Sequence, residues 1–92
     1  MSDAEPREIR MKRLAMRSWR RGTKEMDLIL GPWADAHLAA MPPEAMTLYE
    51  ALLSENDQDL YLWVTGAQTP PDRFVLLLAD IGRFSRTRHH GG

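Results

Sequence analysis

The sequence predicts an all-α protein, a small single-domain bundle of four to five short helices. Apolar residues recur at helical spacings of three and four along the chain, and prolines and glycines separate these stretches. By contrast, the chain lacks alternating runs of β-branched and aromatic residues and has no Asn-Gly or Asp-Gly hairpin turn. Its 92 residues suit one small domain, which we place at residues 1–84.

Pro6 and Gly22 bound the first predicted helix. Proline suits a first helical turn, so we expect the helix to run from about Pro6 to Arg20. Gly22 should then end it in the left-handed conformation that closes many helices. The second helix should run over about 24–40, with a kink or a break at Gly31-Pro32 because proline interrupts the helical hydrogen bonds.

The third and fourth helices are predicted at about 43–54 and 58–65. Pro43 suits the first position of the third helix. Asp57 is the predicted cap of the fourth, and Gly66 should stop it. Both segments carry an apolar face at helical spacing, formed by Met46, Tyr49, Leu52 and Leu53 in the third and by Leu60, Trp63 and Val64 in the fourth.

The last helix should begin at Thr69, the strongest capping signal in the chain. Pro70 follows at the first helical position, and Asp72 approximates a capping box. The helix would bury Phe74, Leu77, Leu78 and Ile81. No apolar period continues beyond Ser85, so we expect residues 85–92 to form a disordered basic tail.

Composition excludes several classes of protein and site. The chain has no cysteine, which rules out disulfides, thiolate chemistry and cysteine-based zinc sites. No apolar run approaches the roughly 18 residues of a membrane span. The acids Asp3, Glu5 and Glu8 argue against an Arg-rich mitochondrial presequence. We therefore expect a cytoplasmic protein that does not associate with membranes.

Charge is segregated along the chain although the net charge is only −1. Residues 1–25 hold eight Lys and Arg against four acids, whereas residues 26–66 hold seven acids and no Lys or Arg. The basic stretch favours an acidic protein surface, phosphate groups or nucleic acid. Equally, it could pair with the acidic middle of its own chain, and the sequence leaves both readings open.

Residues suited to catalysis or metal binding are few. His37 is the only histidine outside the tail, no triad spacing accompanies it, and we expect it to be a packing residue. No Gly-rich phosphate loop occurs. Glu25 and Asp27 suit a first helical turn, where the helix dipole favours acids. We therefore predict no catalytic, metal-binding or cofactor-binding residues.

A family resemblance rests on two segments. Arg21-Gly22-x-x-Glu25, followed by Asp27 and Leu30, resembles the RGxxE signature of the succinate dehydrogenase assembly factors, also called FAD assembly or flavinylation factors. The stretch 56–63, Asn-Asp-Gln-Asp-Leu-Tyr-Leu-Trp, is similar to a later segment of that family, although Gln58 stands where many members have proline. The resemblance covers about residues 10–84.

The resemblance implies a five-helix accessory factor without catalysis of its own. Members bind the flavoprotein subunit of succinate dehydrogenase transiently, and sometimes that of fumarate reductase, and promote covalent attachment of FAD to a histidine of that subunit. Carried onto this sequence, it implies a partner-binding surface formed by Arg17, Arg21, Gly22, Glu25 and Asp27.

Two alternatives stand beside this interpretation. In the first, Gly22 only caps a helix, and Arg21 and Glu25 only pair with each other. In the second, the chain is a small helical nucleic-acid-binding or regulatory protein that uses its basic first helix. The acidic middle of the chain and its net charge make a nucleic-acid partner the less favoured one.

Overall fold

Five α-helices make up the chain in the computed structural model, which describes the backbone of residues 5–91 and the side chains of residues 5–87. No strand occurs within this range, which confirms the predicted all-α fold. The helices are α1 (Arg7–Trp19), α2 (Lys24–His37), α3 (Pro43–Leu53), α4 (Asp57–Val64) and α5 (Val75–Gly91), with short 3-10 turns at Leu38–Ala40 and Asp72–Phe74. No helix in the described part of the chain is long and apolar enough to cross a membrane.

One hydrophobic core joins all five helices. Its fully buried members come from every element, and periodicity identified most of them. They include Leu14 of α1, Met26 and Leu30 of α2, Tyr49 and Leu52 of α3, Leu60 of α4, and Ile81 of α5, together with Phe74 from the preceding 3-10 turn. Of the face predicted for the last helix, only Leu77 is partly exposed.

Helices α1 and α2 pack against each other, and the Trp19 ring at the end of α1 lies directly against Gly31 of α2. A Cβ atom there would lie 2.3 Å from the Trp19 ring, so only glycine leaves room for the indole. Helix α2 continues through Pro32 to His37, and the predicted break is wrong. Proline removes one helical hydrogen bond, but Trp33 and Ala34 are buried directly after it and hold the next turn against the core.

Gly22 does not take the left-handed conformation that the sequence predicts. Among the described residues, Gly66 alone has a positive φ, of 84°. Gly66 therefore follows the end of α4 as predicted, whereas α1 already ends at Trp19 with Arg20 in a non-helical conformation. Backbone conformation therefore does not explain the glycine at position 22, whereas a side chain there would come close to Asp57.

Two predicted caps are wrong. Asn56, not Asp57, caps α4 by accepting a hydrogen bond from the Gln58 N–H at 2.7 Å, which leaves the Asp57 side chain available for other contacts. Thr69 caps no helix, because the chain enters α5 through the 3-10 turn that begins at Asp72.

Helix α5 continues past Ser85 to Gly91, where we expected the disordered tail over 85–92. No proline interrupts this stretch of the sequence, and the Thr87 hydroxyl donates to the Arg83 carbonyl at 2.9 Å within the helix. The loss of apolar period marks where the helix leaves the core, not where it ends. Gly92 lies outside the described residues.

Candidate functional site

The turn between α1 and α2 meets the turn between α3 and α4 through the Arg21 side chain. Its Nε donates to Asp57 Oδ1 at 2.8 Å, and its two terminal nitrogens donate to the carbonyls of Leu53 at 2.8 Å and Glu55 at 3.1 Å. The guanidinium thus satisfies carbonyl groups at the end of α3 that the helix leaves unpaired. Only 10% of the Arg21 side chain and 11% of the Asp57 side chain are exposed.

Asp57 also holds the backbone of the α1–α2 turn. Its Oδ2 accepts hydrogen bonds from the N–H groups of Gly22 and Thr23, the latter at 3.1 Å. Successive N–H groups of this kind form a concavity that binds anions. We call Arg21, Gly22, Thr23 and Asp57 the Asp57 junction.

A second carboxylate supports the turn from α2. Asp27 Oδ1 accepts a hydrogen bond from the Arg21 N–H at 2.5 Å. Thr23 caps α2, with its hydroxyl accepting from the Met26 N–H at 3.3 Å. The turn is therefore fixed from both sides, and the start of α2 is fixed with it.

The predicted site residues separate into two groups. Arg21, Gly22 and Asp27 come together around the turn, whereas the Arg17 guanidinium donates to Ser54 at 3.4 Å. Glu25 is exposed and forms no hydrogen bond with any described residue. The alternative in which Arg21 and Glu25 only pair with each other is therefore wrong, because the Arg21 guanidinium pairs with Asp57 instead.

Sequence reasoning missed the role of Asp57. It is one of seven acids in the middle of the chain, and a separation of 36 residues from Arg21 carries no local signal. The available hint was the resemblance itself, since the 21–25 and 56–63 segments that support it are in contact in the fold.

Ion pairs within the described part of the chain neutralise the basic first helix only in part. Glu50 of α3 lies 2.6 Å from an Arg13 nitrogen, 3.2 Å from Arg10 and 3.9 Å from Arg17. The hydrogen bond from Arg13 is the main reason why the pKa of Glu50 is lowered. For Arg10, Arg13 and Arg17, this supports the reading in which the basic stretch pairs with the acidic middle of the chain. Apart from these three and Arg21, the other four Lys and Arg of residues 1–25 have no ion-pair partner among the described acids; they are Arg7, Lys12, Arg20 and Lys24.

His37 has the packing role that the sequence predicts. Its ring stacks on Trp33 with centroids 4.6 Å apart and meets the edge of Phe84 at 5.3 Å. Its Nδ1 lies 2.9 Å from the Trp33 carbonyl oxygen. Within the described residues, no three His, Asp or Glu side chains cluster as metal ligands would.

Comparison with known proteins gives consistent results. The family model described as the flavinator of succinate dehydrogenase matches residues 12–85. Among curated proteins, the chain is 38% identical over 72 residues to succinate dehydrogenase assembly factor 2-A of Drosophila willistoni. The matched segment covers 76% of this chain and 46% of that protein. It is 40% identical over 73 residues to assembly factor 2 of Meyerozyma guilliermondii, with 76% and 54% covered.

The chain spans about half the length of these curated relatives. Both are named as mitochondrial proteins, which contradicts the cytoplasmic location that we expected. The family that the sequence resembles is confirmed, since the family model extends over most of the chain. This chain belongs to the family of the flavinators of succinate dehydrogenase.

Proposed function

We propose that this chain binds the flavoprotein subunit of succinate dehydrogenase transiently and promotes covalent attachment of FAD to a histidine of that subunit. Family membership supports this role, as do the names of the relatives, which are succinate dehydrogenase assembly factors. The observation that carries it is the exposed turn with Glu25 beside it, held from within by the Asp57 junction. The flavoprotein of fumarate reductase is a further substrate of the same kind.

The geometry suits an accessory factor. Glu25 presents an exposed carboxylate without a hydrogen-bond partner among the described residues, and such a group accepts hydrogen bonds and attracts a cationic group of the partner. Gly22 lies in the turn three residues before Glu25 and adds no side chain to the surface. A rigid mount can align reacting groups of another protein, and such alignment lowers a reaction barrier. The histidine and the flavin belong to the partner, and this chain supplies position without a nucleophile.

Covalent flavin in the partner subunit provides the test. Its in-gel fluorescence should rise when this chain is added to flavoprotein and FAD. Glu25→Ala should lower the rate at least fivefold while the chain remains folded. Glu44→Ala is the matched control, because Glu44 is also an exposed acid in the first turn of a helix, α3. Equal rates for the two variants, or no rise with the unaltered chain, would contradict the proposal.

The nucleic-acid alternative loses support from the ion pairs of α1. Phosphate binding requires cations that can exchange their counterions for phosphates, and Arg10, Arg13 and Arg17 already face Glu50. A gel-shift series over salt concentration should therefore show no retained nucleic acid at physiological salt.

A further inference from the structure

We propose that Asp57 is a positioning residue of this site, and that position 22 is glycine in order to admit the Asp57 carboxylate. Asp57 is not one of the RGxxE residues, and it lies 36 residues from Arg21 in the sequence. This role depends on the proposed function for its effect on flavinylation, whereas the contact itself can be measured in the free protein.

The Asp57 carboxylate accepts hydrogen bonds from three consecutive residues. One carboxylate oxygen accepts from the Arg21 side chain at 2.8 Å, and the other accepts from the N–H groups of Gly22 and Thr23. Hydrogen bonds to a carboxylate are about twice as strong as neutral ones. Since the Asp57 side chain is 11% exposed, water does not readily replace these bonds.

Gly22 fits this carboxylate closely. A Cβ atom at position 22 would lie 3.1 Å from Asp57 Oδ2, which is closer than ordinary van der Waals contact. The φ angle of Gly22 is not positive, so alanine avoids the penalty of the left-handed conformation there. Within the free chain, a side chain at this position would therefore act mainly by displacing the Asp57 carboxylate.

The effect of Asp57 extends to Glu25 through the start of α2. Thr23 is the cap of this helix, and Asp57 holds its N–H. Glu25 lies in the first turn, two residues after Thr23. If Asp57 is lost, the turn and the first residues of α2 lose one of the two carboxylates that fix them, and the exposed carboxylate of Glu25 is less firmly oriented.

A double-mutant cycle tests this coupling. Gly22→Ala and Asp57→Ser should each lower the flavinylation rate at least fivefold. The double variant should be no slower than Asp57→Ser alone, because the alanine then has no carboxylate to displace. If the two losses multiply, Gly22 acts directly on the partner and the proposal is overturned.

A second cycle separates positioning from stability. On the Asp57→Ser background, Glu25→Ala should change the rate less than twofold. Asp59→Ser removes the same charge two residues along α4, from an exposed side chain, and should leave both the rate and the sensitivity to Glu25→Ala unchanged. If Asp57→Ser chains that remain folded keep the full sensitivity to Glu25→Ala, Asp57 is only structural and the proposal is overturned.

Amide resonances of the free chain distinguish this proposal from the proposed function. The Gly22 and Thr23 N–H signals should lie downfield and move upfield in Asp57→Ser but not in Asp59→Ser. If they do not move, the proposal is overturned whatever the activity. If they move but the unaltered chain does not raise flavinylation, the proposed function fails and Asp57 has no positioning role. Should Asp57→Ser not fold, Asp57→Asn replaces it in every comparison, with a smaller shift and loss expected.

Discussion

At the residue scale, the contacts of Arg21 suit arginine better than lysine. Its planar guanidinium reaches one carboxylate and two backbone carbonyls in three directions, which the single ammonium group of a lysine does not do in a fixed geometry. The family resemblance implied that Arg21 belongs to a partner-binding surface. In the structure its guanidinium donates to groups of its own chain, and only 10% of the side chain is exposed.

We expect Arg21→Ala to lower the free energy of unfolding by about 2–4 kcal/mol, because it removes three hydrogen bonds and leaves the Asp57 carboxylate without its cation. Urea unfolding measures this loss. Arg20→Ala is the control, since the Arg20 side chain is exposed, and it should change stability by less than about 0.5 kcal/mol. Equal losses in the two variants would show that the Arg21 guanidinium is solvated.

At the scale of the element, Thr23 contributes to both fold and site. Its hydroxyl caps α2 by accepting from Met26, while its own N–H donates to Asp57. Alanine would keep the second bond and lose the first. We therefore expect Thr23→Ala to destabilise the protein by about 1 kcal/mol, the usual cost of a lost cap.

Thr69→Ala provides the comparison for that measurement. Thr69 has the stronger capping signal in the sequence but caps no helix in the structure, and its side chain is exposed. Its replacement should leave the urea midpoint unchanged. A larger loss for Thr69→Ala than for Thr23→Ala would reverse the assignment of the two caps.

The existence of each helix could be predicted from the sequence, because apolar spacing records which face meets the core. Helix ends were less predictable, since several groups compete for them. Asn56 and Asp57 are both good caps, and which one serves depends on the approach of Arg21 and Gly22 from another part of the chain. The site was predictable only as far as its local motif, since its two halves come together through tertiary packing.

At the scale of the whole molecule, ion pairs between α1 and α3 make stability depend on pH. The Arg13 hydrogen bond lowers the pKa of Glu50 in the folded state, so the unfolded chain takes up a proton first as pH falls. This contribution is fully present above about pH 4.3, the ordinary pKa of glutamate, and is lost as pH falls through the lower pKa of the folded state.

Glu50→Gln should therefore reduce stability near pH 7 and flatten its decline below about pH 4. Thermal unfolding between pH 7 and pH 3 measures both effects. Glu44→Gln changes an exposed glutamate on the same helix and should retain the wild-type pH profile. An unaltered profile in Glu50→Gln would show that the three arginines do not stabilise the folded state through this carboxylate.

The separation of the two halves of the Asp57 junction has a consequence for the order of folding events. Its bonds join residues 32 to 36 positions apart, so they require closure of a long loop whose entropy is lost before the bonds form. The pairing of α1 with α2 needs a much shorter loop. We expect the junction to form after the folding transition state, so Asp57→Ser should accelerate unfolding and leave the refolding rate nearly unchanged. A chain that has only collapsed would then lack the site, and engagement of the flavoprotein would be restricted to chains that have finished folding.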